Sequence, residues 1–84
     1  MAFNKPNKRI VDFHIARLQD KNAEVRLKAI SELALLPDAD GLAALQSVFN
    51  NDADQQVRKA AQEAGRKVFL LLKQQNSDQD SSNV

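Results

Sequence analysis

Val25-Arg26-Leu27-Lys28-Ala29-Ile30-Ser31-Glu32-Leu33 and Val57-Arg58-Lys59-Ala60-Ala61-Gln62-Glu63-Ala64-Gly65 decide the fold of this 84-residue chain. Both stretches open on Val-Arg, and 57 − 25 sets a register of 32 residues. Three positions before each Val stands a residue suited to cap a helix, Asn22 and Asp54. Two positions before each cap stands an Asp, Asp20 and Asp52, and an apolar helical pattern ends just ahead of it. A period of this size marks helical hairpins stacked as a solenoid.

Working outward, four helices are expected. The first runs from about Asn7 to Gln19, with Val11, His14, Ile15 and Leu18 on one stripe and Ile10 and Phe13 beside it. The second runs from Ala23 to Leu36, and Pro37 stops it because a residue before proline avoids the α region. The third runs from Ala39 to Asn50, capped by Asp38, with Leu42, Leu45, Val48 and Phe49 as its apolar face. The fourth runs from Gln55 to Gln74 along Val57, Ala61, Ala64, Val68, Leu71 and Leu72. Gly65 lies beside that stripe, and a close approach of another helix would account for it. Turns this short force antiparallel neighbours. Leu18 to Val25 spans seven positions and Phe49 to Val57 eight, so the second hairpin is expected to carry one extra residue in its turn.

The expected class is therefore all-α, an α-solenoid of two helical hairpins. Residues 1–6 form a flexible N-terminal segment. Residues 7–74 form the two-repeat domain, divided 7–36 and 38–74, and residues 75–84 form a disordered polar tail.

Composition narrows the function classes. A net charge of +1 creates no strong field toward DNA or anionic lipid, and Tyr and Trp are absent, so nucleic acid is an unlikely partner. There is no Cys for a disulfide framework or thiolate metal site. The only histidine, His14, has no carboxylate at a zinc-site spacing. Helix capping accounts for Asp38/Asp40 and Asp52/Asp54 better than a calcium loop does, whose glycine and final carboxylate fall at other positions. No nucleophile–base pair and no phosphate-binding glycine loop is present, so neither a cofactor nor catalysis is expected. The N-terminal stretch lacks the apolar run of a secretory signal, and the longest apolar run, Val68–Leu72, is too short to span a bilayer. A cytoplasmic protein without membrane insertion is expected.

The repeat pattern resembles the HEAT repeat family, and in particular the short HEAT-like repeats of phycobilisome lyase proteins. The residues that carry the resemblance are Asp20, Val25, Arg26, Ala29, Ile30 and Leu33 in the first hairpin. In the second they are Asp52, Val57, Arg58, Ala60, Ala61 and Ala64. It covers roughly Ile10 to Leu72 and implies that Asp20/Arg26 and Asp52/Arg58 form a structural ladder within and between repeats. Gly65 in place of Leu33, and Gln62 in place of Ile30, depart from the pattern and weaken packing on the outer face of the second copy.

Two repeats are few for independent stability, which points to a chain that works bound to something. The expected function is a non-catalytic protein–protein interaction module, an adaptor or small subunit of a larger complex, with a homodimer as one way of completing the stack. The resemblance implies one alternative, a helper in attaching or detaching bilin on phycobiliproteins. Weak nucleic-acid binding is another. Candidate contacts are the basic start of the first helix, Lys8 and Arg9, and the polar faces of the second helices, Lys28, Glu32, Lys59, Glu63, Arg66 and Lys73. Phe69 and Leu70 join them as a docking patch, because five consecutive apolar residues cannot all face one core.

Overall fold

Four short polar side chains start the four helices. Asn7 Oδ1 accepts the Arg9 N–H at 2.8 Å, and Asn22 Oδ1 accepts that of Glu24 at 2.9 Å. Asp38 Oδ1 takes the amides of Asp40 and Gly41, and Asp54 Oδ1 those of Gln56 and Val57. Each satisfies donors that a helix start leaves without an intrahelical partner. The computed structural model describes residues 6–82, with side chains through residue 75. Among these it contains α1 (Lys8–Arg17), α2 (Ala23–Leu33), α3 (Ala39–Asn51) and α4 (Gln55–Ser82), and no strand.

The helices form two hairpins. The first, α1 with α2, stacks on the second, α3 with α4, through α1–α3 and α2–α4 contacts. The core between them is Val11, Leu18, Ala29, Ile30, Leu33, Ala34, Leu45, Val48, Val57, Ala61, Ala64 and Val68. These are the stripes that the 3.6-residue period places on inward faces.

Beyond shifts of one or two residues at the ends of α1 and α3, three differences from expectation stand out. The extra residue of the second hairpin lengthens a helix rather than a turn. In the first hairpin the amides of Leu18, Gln19 and Asp20 bond three residues back, whereas the Asp52 amide bonds four residues back to Val48. The tighter 3₁₀ winding covers the same span with fewer residues. Five residues, 18–22, thus link α1 to α2, and three, 52–54, link α3 to α4. The α2 helix stops at Leu33, three residues before the expected end, and a turn through Leu36 carries the chain into Pro37. Lastly, α4 keeps helical backbone past its expected end at Gln74, to Ser82. No Gly or Pro stands there to break it. The expected flexible segment at the N-terminus lies, apart from Pro6, outside the described residues.

Candidate functional site: the two open ends of the stack

Arg26 and Arg58 each follow a Val, half-buried Val25 and fully buried Val57, and the guanidinium reaches back over the preceding turn. Arg26 Nη1 donates to the carbonyls of Asp20 and Lys21 at 2.7 and 3.1 Å. Arg58 Nη1 donates to those of Asp52 and Ala53 at 2.8 and 3.2 Å, the same pattern 32 residues on. The two then diverge. The other edge of Arg26, Nε and Nη2, clasps both oxygens of the Asp52 carboxylate in the next repeat. The corresponding edge of Arg58 meets no carboxylate among the described residues. Within a repeat, then, Arg meets backbone carbonyls, and the carboxylate contact runs between repeats. Burial alone would push the Asp52 carboxyl up. The Asp54 amide, the bonds from Arg26 and the charges of both arginines outweigh that and hold it below the usual carboxylate range.

Two grooves lie open at the ends of the stack. The one on the second repeat holds about 280 Å³ and is lined on α3 by Leu42, Gln46 and Phe49 and on α4 by Ala61, Gln62, Gly65, Arg66 and Phe69. Helices α1 and α3 align with an offset of 31 residues, and α2 and α4 with 32. Carried back, this lining maps onto Val11, Ile15, Leu18, Ala29, Ile30, Leu33, Ala34 and Pro37, all buried or half-buried. The groove is therefore the surface that, in the first repeat, the second repeat covers. Leu33 shows that contact directly, since its Cδ2 lies 3.4 Å from where a Cβ on Gly41 would be.

The groove on the first repeat holds about 310 Å³ and is lined by Phe13, His14, Arg17, Lys28, Ala29 and Glu32. Carried forward, these positions are Ala44, Leu45, Val48, Ala60, Ala61 and Ala64, again buried or half-buried. The two ends are thus the two complementary halves of the internal repeat interface. Arg17 lies over the Phe13 ring at 5.4 Å, and the His14 ring meets Phe13 edge-on.

The remaining candidates fall into place around these ends. Arg66 and Phe69 line the second-repeat groove, and Lys73 stands 6.0 Å from the Phe69 ring centre. Lys28 and Glu32 line the opposite groove. Lys59, Glu63 and Leu70 are exposed along α4 outside the second-repeat groove, and Arg9 is exposed at the start of α1. Phe69 and Leu70 are 53% and 55% exposed, and of the two Phe69 lines the groove. The Lys8 ammonium, half exposed, bonds Asp38 and Asp40 at the start of α3. Those bonds raise its pKa, and they hold Asp38 below the usual range although burial would push it up. Gly65 is not explained by a tightly packed helix either, since a Cβ there would meet only Leu42 Cδ1, at an ordinary 3.7 Å. The contribution of Phe49, Leu42 and Gln46 to a surface was hidden in the sequence, because periodicity assigns Phe49 and Leu42 to a core face. The offset of 31 to Leu18, Val11 and Ile15 is the signal that marks that face as one awaiting a neighbour.

Stacked helical hairpins with an Arg–Asp contact between repeats define an α-solenoid. The chain matches the family model for HEAT repeats over residues 1–65 and belongs to that family. The match is to HEAT repeats in general and does not reach the narrower likeness to phycobilisome lyases. Neither a curated protein nor a solved structure matches the chain. HEAT repeats are generally protein-interaction modules without catalysis. Among the described residues, no helix is long and apolar enough to cross a membrane.

Proposed function

We propose that this chain is a non-catalytic protein-interaction module, an adaptor or small subunit, that docks other proteins through its second-repeat groove. The observation that carries the reading is the groove itself: Phe49 and Phe69 are open to solvent beside half-buried Leu42 on a helix pair, with Arg66 in the lining and Lys73 by the Phe69 ring. Exposed aromatic side chains beside a cation are the composition of a protein-binding hot spot. Gly65 supports it. Glycine inside a helix costs about 1 kcal/mol relative to alanine, and no tight packing around Gly65 requires it. Its effect is to keep the groove floor open.

A photoreactive residue at position 46, on the rim of the groove, tests this in the native cell. The expected result is a discrete crosslinked protein that disappears in the Phe69→Asp variant. Crosslinks that are diffuse, or indifferent to Phe69→Asp, would overturn the reading.

A further inference from the structure

We infer that the first-repeat end of one copy fits the second-repeat end of another, so that copies of this chain stack head to tail in the register of its own internal interface. The inference rests on reading the ends as docking surfaces and names a second copy as an occupant.

Four correspondences carry it. The first is the ladder. Asp52 meets the Nε/Nη2 edge of Arg26 across the internal interface, with its Oδ1 also accepting the Asp54 amide. Asp20 is its register mate, and its Oδ1 likewise accepts the amide two residues on, that of Asn22. No cation lies within ion-pair distance of Asp20 among the described residues. Arg58 carries the matching open edge at the other end of the molecule. Head-to-tail stacking brings Asp20 of one copy to Arg58 of the next, as Asp52 comes to Arg26.

The second is shape. Internally the large Leu33 of α2 packs on Gly41 of α3. At the open end the Leu33 position is Gly65, a socket, and the Gly41 position, 31 residues back on α1, is Ile10, which is 51% exposed. Large and small have changed sides. The third is charge. The α2–α4 contact covers Ile30 and Ala34 from one side and the half-buried Ala60 and buried Ala64 from the other. At the ends, Ile30 and Ala34 become Gln62 and Arg66, while Ala60 and Ala64 become Lys28 and Glu32. Stacking sets Gln62 and Arg66 across from Lys28 and Glu32, so Arg66 gains an acidic neighbour. The fourth is the aromatic surface left uncovered at both ends, Phe13 on one and Phe49 and Phe69 on the other. An isologous dimer through the second-repeat groove would instead face Arg66 with its own copy.

An interface of this heterologous kind does not close on two copies. Its polar pairs make it salt-sensitive, because exposed charges are screened within about 10 Å at moderate ionic strength.

Sedimentation of the full chain tests it by complementation. Phe13→Asp blocks the first-repeat end and Phe69→Asp the second-repeat end. Both side chains are exposed, and circular dichroism checks that each variant keeps its helix content; Ser replaces Asp where it does not. Expected for the wild type, between about 10 µM and about 1 mM, is a mass that climbs from the 9.3 kDa monomer past the dimer and falls back in high salt. Each variant alone stays monomeric, and their mixture forms a one-to-one dimer that goes no further. Monomeric wild type throughout, a wild-type mass that stops at a dimer, or a dimer broken by Phe69→Asp and untouched by Phe13→Asp overturns the inference. The docking reading is judged separately: a foreign protein crosslinked at position 46 upholds it even when the chain stays monomeric.

Discussion

Arg26 holds both oxygens of the Asp52 carboxylate, Nε to Oδ2 at 2.9 Å and Nη2 to Oδ1 at 3.1 Å, and so ties the start of α2 to the end of α3. Its third nitrogen is bonded to the carbonyl of Asp20, so one side chain spans two turns and two repeats. The side chains are 15% and 8% exposed, which leaves little water to replace a lost partner. Paired, parallel bonds of this kind are the stronger form of charge-assisted hydrogen bond.

Removing either partner should therefore destabilise the stack. Asp52→Ala and Arg26→Ala are each expected to cost about 2–3 kcal/mol, the range for charged groups left without partners. Arg58→Ala, which loses its bonds to backbone carbonyls and a more distant attraction to Asp52, should cost less, about 1 kcal/mol. Urea unfolding of the two single variants and the double measures the coupling. A coupling below about 0.5 kcal/mol would show that the pair does not act across the repeats.

Acid should weaken the fold through the same carboxylates. Asp38 and Asp52 both have folded pKa values held below their ordinary one. A depressed carboxylate adds stability that is fully present above its unfolded pKa of about 3.9 and is lost as pH falls toward the folded value. Melting temperature should hold near neutral pH and drop below about pH 4. Asp52→Asn should be less stable at neutral pH and show a shallower drop. A variant with the same acid slope as the wild type would remove Asp52 from the explanation.

The two glycines should respond differently to a methyl group. Gly65→Ala is expected to stabilise the chain by about 0.5–1 kcal/mol, because it gains helix propensity and meets Leu42 at an ordinary distance. Gly41→Ala places its Cβ at 3.4 Å from Leu33 Cδ2 inside the interface and should gain less or lose stability. Thermal melts of both variants decide it; equal shifts would mean that Leu33 moves freely.

Core and groove should separate cleanly. Leu33→Ala, at a fully buried position, is expected to cost about 3 kcal/mol or more, a large share of the stability of a chain this small. Phe69→Ala should change stability by less than about 0.5 kcal/mol, as exposed positions usually do. A large loss from Phe69→Ala in denaturant unfolding would place that ring in the fold rather than at the surface.

Much of the architecture follows from the chain alone. Pro, Asn and Asp at element starts, and apolar residues at helical spacing, are local signals that act within a turn or two. They locate four helices, the caps of the last three and the 32-residue register. The identity of Arg26 and Arg58 as paired elements of a repeat is legible for the same reason. Which oxygen each arginine meets is not, because Asp20 is close in sequence while Asp52 is brought near by the stacking of one hairpin on the next.

Surface and core diverge at the ends for a related reason. Leu18 and Phe49 occupy one register position with one periodic signal, yet Leu18 is buried and Phe49 is 40% exposed. The difference is whether a neighbouring repeat covers that position, and a pattern local to one helix carries no trace of its neighbour. Lys8 makes the same point for charge: the acids that meet it, Asp38 and Asp40, lie about thirty residues along the chain. Sequence alone determined the repeating unit, because helix formation and capping are short-range. Tertiary structure alone decided which copies of each repeated residue are core, ladder or open groove, because burial depends on what stacks against a face.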